Sequence, residues 1–94
     1  MHPDIISIVR SALFETAIKR VKKKDKELFK QAHNQILKII REPNIGKPLR
    51  YSLKNRRRLH VGSFVIVYEF LEGELRFLDF DHHDKIYKKK FWNF

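Results

Sequence analysis

Hydrophobic positions in the first half of the chain repeat with the period of an α-helix. Ser11 precedes this pattern, and a serine hydroxyl can accept a hydrogen bond from the unpaired N–H groups at a helix start. The pattern therefore predicts a first helix that begins close to Ser11. The apolar residues that share one helical face are Leu13, Phe14, Ala17, Ile18 and Val21.

A second apolar stripe follows a polar break at residues 22–25, and Pro43 and Gly46 end it. Its members share one helical face, with lysines and arginines outside it. Because the connection between the two stripes is so short, they predict an antiparallel helical hairpin whose apolar face needs a second layer to cover it. The apolar residues of this second stripe are Leu28, Phe29, Ala32, Ile36, Ile39 and Ile40.

The second half of the chain predicts strands. Gly62-Ser63 and Glu72-Gly73 lie where tight hairpin turns are expected between them. The middle segment is almost continuously apolar, which predicts a central strand covered on at least one face and partly on both. Residues 5–9 predict another strand before the first helix. The three predicted strands of the second half are Arg56–Val61, Phe64–Leu71 and residues 74–80.

These elements predict an α+β fold in which an N-terminal strand and an antiparallel two-helix hairpin accompany a mainly antiparallel sheet. The hairpin is expected to pack on one face of the sheet. A chain of 94 residues can bury one modest core, so a single domain is expected over residues 1–94. An active site on so small a domain must be shallow.

The composition narrows the range of partners. Lys and Arg number 21 against 11 Asp and Glu, and the formal net charge of +10 favours a polyanionic partner such as nucleic acid, an anionic membrane or an acidic protein. The chain has no cysteine, which excludes disulfides and thiolate metal sites. No apolar run has the length of a signal peptide core or a membrane span. We therefore expect a cytoplasmic protein that does not bind membranes.

The first candidate site is a row of cations on one predicted strand. Alternation places Leu59 and Val61 on one face and Arg56, Arg58 and His60 on the other. Side chains two positions apart on a strand lie roughly 6.5 to 7 Å apart, a spacing that suits successive phosphates of a nucleic acid. The alternative interpretation is a solvated face whose charges protect the sheet from aggregation.

The second candidate site follows the last predicted strand and gathers imidazoles, a cation and a phenol between Asp81 and Tyr87. Cleavage of RNA without a metal requires a base at the 2′-hydroxyl, charge stabilisation at phosphorus and an acid at the 5′-oxygen. The rival interpretation is a metal site, but adjacent strand residues point to opposite faces. Its candidate ligands are Asp79, Asp81, His82, His83 and Asp84. His82 and His83 could face one ion only if the strand had already ended, so no metal and no other cofactor is expected.

Two segments resemble the RelE/ParE superfamily of toxins: Val61-Gly62-Ser63-Phe64-Val65-Ile66-Val67-Tyr68-Glu69-Phe70, and His82-His83-Asp84-Lys85-Ile86-Tyr87. Members share a basic-apolar-basic-Val-Gly segment that continues into Tyr-Glu, and a later His-Arg segment that ends in tyrosine. The resemblance extends in element order from about residue 5 to residue 90. It implies the fold described above.

RelE-type members cut messenger RNA in the ribosomal A site without a metal. The resemblance implies that Tyr87 or His83 acts as the general base and that His60 or His82 acts as the acid. It also implies that arginine is usual at the positions of His83 and Val65, so two fixed cations of the family pattern are missing. The cations expected to bind RNA phosphates are Arg58, Lys85, Arg56 and Lys54.

The resemblance implies a toxin of a type II toxin-antitoxin system that acts as a ribosome-dependent mRNA endoribonuclease and inhibits translation. Its expected partners are an antitoxin protein, the ribosome and mRNA, in a homodimer or a toxin-antitoxin hetero-oligomer. One alternative is a toxin similar to the ParE branch, which poisons DNA gyrase without cutting RNA. Another is a catalytically weak homologue that serves mainly to bind an antitoxin or another acidic partner.

Overall fold

A computed structural model describes residues 5–49 and 55–89 of the chain. These residues form five strands and three helices. In chain order the elements are β1 (Ser7–Arg10), α1 (Ala12–Lys24), α2 (Lys26–Arg41), β2 (Lys47–Pro48), β3 (Arg56–Val61), β4 (Phe64–Leu71), β5 (Glu74–His82) and α3 (His83–Ile86).

The five strands form one sheet in the order β1-β5-β4-β3-β2. β1 runs parallel to β5, and every other neighbouring pair is antiparallel. In the sequence, α1 and α2 follow β1 and precede the other four strands. The two helices pack against each other and against one face of the sheet. The predicted α+β fold, with its N-terminal strand, helical hairpin and mainly antiparallel sheet, is confirmed.

Polar caps fix the starts of the two long helices, and the first of these caps is the predicted Ser11. The Ser11 hydroxyl accepts a hydrogen bond from the Phe14 N–H at 3.0 Å and donates one to the Leu78 carbonyl at 2.7 Å, which ties α1 to β5. Asp25 ends α1 and begins α2, because its carboxylate accepts from the Leu28 N–H at 3.0 Å. One residue thus turns the chain between the two helices.

The main core lies between the helical hairpin and the sheet. α1 packs over β5 and α2 packs over β3. Leu13 was predicted to face this core, but it is 52% exposed because it lies beside an open cleft between α1 and the end of β5. The largest buried side chains of the core are Phe14, Ile39, Ile66, Tyr68, Leu75, Phe77 and Phe80.

The central strand β4 is buried on both faces, as its apolar sequence predicts. Ile66 and Tyr68 belong to the core under the helices, whereas Val65 and Val67 lie on the opposite face and are also fully buried. Ile86 of α3 covers these two valines. The sheet therefore carries a second, smaller core on the face that the helical hairpin leaves uncovered.

The structure differs from the sequence prediction in its shortest elements. The two-residue strand β2 and the single-turn helix α3 were not predicted, β1 begins at Ser7, and β5 continues to His82. Such short elements carry no measurable periodicity, and their position depends on pairing with the rest of the sheet. Glu72 and Gly73 form the predicted turn between β4 and β5, and both have positive φ, at 50° and 81°.

None of the helices within the described residues has the length and apolar character needed to cross a lipid bilayer.

Candidate functional site

The predicted alternation along β3 is confirmed. Arg58 pairs directly with Val67, and His60 pairs with Val65. Residues that pair directly across antiparallel strands lie on the same face of a sheet. Arg58 and His60 therefore share the face of the smaller core, whereas Leu59 packs against the core under the helices. The cations lie at the border of this second core, so the face is only partly open.

α3 brings the C-terminal part of the chain onto this face. Because Ile86 packs on Val65 and Val67, the next residue, Tyr87, reaches toward β3. The Nη1 atom of Arg58 donates a hydrogen bond to the Tyr87 hydroxyl at 3.1 Å. The Cζ atom of Arg58 also lies 5.9 Å from the centroid of the Tyr87 ring, within the range of a cation-π contact. Two predicted site residues from distant parts of the sequence thus meet.

His83 and His82 lie next to Tyr87 in a row of neighbouring rings. The ring centroids of His83 and Tyr87 are 6.2 Å apart, and those of His82 and His83 are 4.8 Å apart. His82 pairs with Phe64 at the end of β5, and its ring contacts the Phe64 ring edge-on at 5.8 Å between centroids. His83 is therefore the histidine closer to Tyr87, and His82 extends toward the helical side.

His60 lies at the other end of the cationic row. Its side chain is exposed, and its carbonyl accepts a hydrogen bond from Nε2 of Gln35 in α2 at 3.1 Å. It is two positions from Arg58 on the same strand face, which places their side chains roughly 6.5 to 7 Å apart. The structure thus puts His60 beside the Arg58–Tyr87 pair but adds no contact that assigns it a role.

The remaining predicted phosphate-binding cations differ in position. Arg56 is engaged by Glu69, with 3.4 Å between Nε and the carboxylate, so an RNA phosphate would have to compete with that carboxylate. Lys85 lines the cleft beside α1, because residues two apart on a helix project in nearly opposite directions and Tyr87 faces β3. Lys54 lies outside the described residues.

Lys47 is a cation that the sequence patterns did not single out. It pairs directly with Arg58 across β2 and β3, so both lie on the same sheet face. Its side chain is exposed and available to a phosphate. A two-residue strand that contains a proline has no recognisable sequence signature, and only its pairing shows that Lys47 joins the site.

An ion cluster on the other side of α3 was also missed. Asp79 is 1% exposed, and the Lys89 ammonium lies 2.5 Å from its carboxylate and 3.3 Å from that of Asp81. Burial alone would lower the pKa of Lys89, but the hydrogen bonds and charges of both aspartates outweigh it and raise that pKa. This cluster anchors the segment after α3 to β5. The sequence signal for this cluster was the pair Asp79 and Asp81, two positions apart on a strand and followed by a lysine-rich segment.

The arrangement contains the groups that metal-free phosphodiester cleavage requires. Arg58 supplies a fixed positive charge, and a guanidinium can only donate hydrogen bonds. The Tyr87 oxygen is therefore the acceptor in their contact. His83 beside it contributes an imidazole, a side chain that can serve as a general acid or base. Val65, fully buried beneath α3, contributes no charge at this surface.

Comparison with known proteins gives consistent matches along most of the chain. The profile of the family described as "ParE toxin of type II toxin-antitoxin system, parDE" matches residues 8–87. The chain is 38% identical over 76 residues to a Methanocaldococcus jannaschii protein provisionally named toxin RelE4. That alignment covers 78% of this chain and 81% of the relative.

Solved structures show the same fold. The YoeB/ParE toxin from Agrobacterium tumefaciens superimposes with a TM-score of 0.72 at 15% identity, over 83% of this chain and 99% of that one. A chain in the crystal structure of the E. coli DinJ-YafQ complex gives a TM-score of 0.62 at 26% identity, over 85% of this chain and 96% of that one.

Proposed function

The chain belongs to the ParE toxin family of type II toxin-antitoxin systems, within the RelE/ParE superfamily, and on that premise we propose that it is a metal-independent, ribosome-dependent mRNA endoribonuclease. In this proposal it cuts messenger RNA during translation and thereby inhibits protein synthesis. It would act in the cytoplasm, where ribosomes are engaged.

The observation that carries the proposal is the hydrogen bond between Arg58 and Tyr87 with the His83 ring beside it. A fixed cation, a phenol and an imidazole on one shallow surface match the needs of RNA cleavage at a 2′-hydroxyl. A structural role alone would not require the Tyr87 hydroxyl, since Ile86 already anchors α3 to the sheet. The exposed position of Tyr87 further suits contact with a substrate.

The proposed reaction begins when His83 or Tyr87 removes the proton of the 2′-hydroxyl. The 2′-oxygen then attacks phosphorus, and Arg58 stabilises the additional negative charge on the phosphoryl oxygens. The bond from phosphorus to the 5′-oxygen breaks as His60 or His82 donates a proton to that oxygen. The products are a 2′,3′-cyclic phosphate and a free 5′-hydroxyl. Lys47 would hold a neighbouring phosphate together with Arg58.

The charge of the protein supports the ribosome as its site of action. A net charge of +10 on 94 residues favours binding to ribosomal RNA, because counterions released from the RNA drive association. Such binding is insensitive to sequence, so it would bring the toxin to any ribosome. Positioning of the message in the A site would then present the 2′-hydroxyl to the site on the sheet.

An antitoxin is the second partner in this proposal. The similar solved structures include the M. tuberculosis RelBE2 and E. coli DinJ-YafQ toxin-antitoxin complexes. In this chain Ile8 and Val9 of the outer strand β1 are each 44% exposed, and Ile6, just before this strand, is 83% exposed. An antitoxin segment that covers this sheet edge would bury apolar surface and neutralise part of the positive charge. The resulting toxin-antitoxin hetero-oligomer, or a homodimer of the free toxin, remains a prediction.

The proposal is tested by adding the purified toxin to a reconstituted translation reaction and mapping message ends by primer extension. Discrete cuts that require ribosomes and persist in a chelator specific for transition metals are expected. Tyr87→Phe should abolish or strongly slow them, whereas His33→Gln on the exposed face of α2 should leave them unchanged. Intact messages in a reaction whose protein synthesis the toxin has stopped would contradict the proposal.

A gyrase poison is the second candidate, and the buried Val65 is the observation that favours it. The sequence resemblance implies an arginine at this position in many RNA-cutting relatives, and the isopropyl group here lies fully buried under α3. The profile that matches the chain also describes a ParE toxin. Accumulation of covalent gyrase-DNA cleavage complexes, together with intact messages, would establish this alternative.

A further inference from the structure

The end of β5 brings together two imidazoles that strand geometry would keep apart. His82 is the last residue of β5, and His83 is the first residue of α3. On a continuing strand their side chains would project to opposite faces. Here the change of backbone direction at His82 places the two rings 4.8 Å apart between centroids, nearly perpendicular at 86°. The strand has thus ended at His82, which is the condition under which both histidines can face one bound ion.

Asp84 adds a carboxylate to the same position. Its Oδ1 atom lies 3.1 Å from Nδ1 of His83, and its Oδ2 atom lies 3.7 Å from Nδ1 of His82. One ligand atom from each of the three residues lies within 4.8 Å of the others. Ligands about 2.1 Å from a tetrahedral zinc ion are roughly 3.4 Å from one another. Small rotations of these partly exposed side chains would complete such a geometry.

The hydrogen bonding of both histidines suits ligation through Nδ1. The Asp84 N–H donates to Nδ1 of His82 at 3.3 Å, so this nitrogen is oriented as an acceptor, and a metal ion bound there would replace this long hydrogen bond. Nδ1 of His83 is a buried atom, and within the described residues no group makes a hydrogen bond of acceptable geometry with it. Its contact with the Asp84 carboxylate at 3.1 Å is therefore poorly aligned, and a buried nitrogen that lacks a well-formed hydrogen bond is destabilising. A cation bound between the two Nδ1 atoms would remove this cost.

We propose that His82, His83 and Asp84 form a binding site for a divalent transition metal, with Zn²⁺ as the ion that fits best. Two imidazole nitrogens and one carboxylate oxygen are ligands for zinc and its neighbours in the first transition row, whereas calcium and magnesium prefer oxygen ligands alone. The fourth coordination position is left to water or to an anion.

The site has a regulatory consequence that rests on the proposed ribonuclease function. Zinc would occupy the His83 lone pair and hold the ring against Asp84, so His83 could no longer exchange a proton beside Tyr87. Bound zinc thus inhibits cleavage, although the cleavage reaction itself uses no metal. The toxin would be active when free zinc is scarce and silent when zinc is abundant.

Binding is tested on the full chain after removal of any histidine tag, by isothermal titration with Zn²⁺ and by the visible absorption of Co²⁺ as a probe of coordination. One ion per chain is expected, with a cobalt spectrum typical of four-coordinate geometry. Asp84→Ala should weaken binding at least about tenfold, by loss of one of three ligands. His33→Gln, which removes an exposed histidine far from the site, should leave affinity unchanged.

Inhibition is tested in the translation reaction with and without added Zn²⁺. The unsubstituted toxin should lose cleavage as the site fills, whereas the cleavage rate of Asp84→Ala, compared with its own rate without zinc, should fall much less. Equal zinc binding by the unsubstituted chain and Asp84→Ala, or no binding by either, would overturn the metal site. Zinc binding by a chain that never cuts mRNA would instead refute the proposed function and leave the metal site in place.

Discussion

Nη1 of Arg58 lies 3.1 Å from the hydroxyl of Tyr87, although 29 positions separate them in the sequence. Arg58 belongs to β3, and Tyr87 follows α3. The contact therefore depends on the packing of α3 across the sheet through Ile86. Because it combines a permanent charge with an ionisable hydroxyl, this pair is the feature of the site most open to mutational test.

Arg58 and Tyr87 are expected to act as one unit in RNA cleavage. Arg58→Ala should lower the cleavage rate about 100- to 1000-fold, as expected for the loss of a group that stabilises transition-state charge. Combining it with Tyr87→Phe should cost much less than the product of the two single effects, because each depends on the other. The measurement is a double-mutant cycle of single-turnover cleavage rates.

Arg41→Ala, which removes an exposed arginine at the end of α2, is the matched control for charge and should change the rate little. Circular dichroism melting of each variant separates a catalytic effect from unfolding. Independent, fully multiplicative effects of Arg58→Ala and Tyr87→Phe would show that the two side chains do not cooperate.

Val65→Arg restores the arginine that the family pattern has at this position, and we expect it to destabilise the fold. The side chain of Val65 is fully buried against Ile86, so a guanidinium there must be buried or must displace α3. The expected loss in the free energy of unfolding exceeds about 2 kcal/mol. Urea denaturation measures it.

The matched control for Val65→Arg is Leu71→Arg, at the exposed end of the same strand. Its effect should stay within about 0.5 kcal/mol. If Val65→Arg were as stable as the unsubstituted protein and cut RNA faster, the buried valine would be a catalytic defect and not a structural requirement.

Lys89→Met should destabilise the protein by leaving Asp79 as a buried charge without its cation. Because the Lys89 side chain is 30% exposed, we expect a loss of about 2 to 3 kcal/mol, below the range for a fully buried ion pair. Lys88→Met, next to it and exposed, is the control and should have little effect. A loss of stability of similar size in both variants would show that the aspartates do not anchor Lys89.

Lys89 also predicts a dependence of stability on alkaline pH. Its pKa is raised in the folded state, because both aspartates together outweigh the effect of burial. Its contribution is therefore complete below the ordinary lysine pKa of 10.5 and is lost as pH rises through the higher, folded value. The unfolding free energy of the unsubstituted protein should fall more steeply above pH 10.5 than that of Lys89→Met. Parallel pH profiles would contradict this expectation.

Tyr68→Phe tests the buried hydroxyl that holds the loop after α2. This hydroxyl donates to the Pro43 carbonyl at 2.7 Å and accepts from the Gly46 N–H at 2.8 Å. Its removal leaves both backbone groups without this partner, at an expected cost of about 1 to 3 kcal/mol. Thermal and urea denaturation measure the change, and an unchanged stability would show that water replaces the hydroxyl.

Burial raises the pKa of Tyr68 above its ordinary value of 10.0, so the folded state favours the neutral phenol. Stability from this preference is complete below pH 10 and falls as the pH rises toward the folded pKa. The Tyr68→Phe protein should lose this component of the alkaline decline. An ultraviolet titration of tyrosinate should correspondingly show one tyrosine that ionises later than an exposed phenol.

The fold was largely predictable because its long elements repeat a local pattern. The stripes on α1 and α2, the cap Ser11 and the apolar run of β4 each indicate a structure that does not depend on distant residues. The predicted boundaries of β3 and β4 match the structure. Leu13 was predicted to face the core but is exposed. It lies near the start of α1, where no other element in the described part of the chain packs over its side chain, and a local apolar pattern does not show whether a neighbouring element is present.

The site was predictable only as a set of residue types. The sequence by itself determined that cations alternate on β3 and that imidazoles and a tyrosine follow β5, since side-chain direction on a strand is a local property. Only the tertiary structure decided that Arg58 meets Tyr87, that Lys47 joins them and that Lys85 faces the cleft beside α1. The positions of Tyr87 and Lys85 depend on how α3 packs across the sheet, which is fixed by the burial of Ile86 against β4, and that of Lys47 depends on the pairing of β2 with β3. No pattern within either segment specifies these contacts.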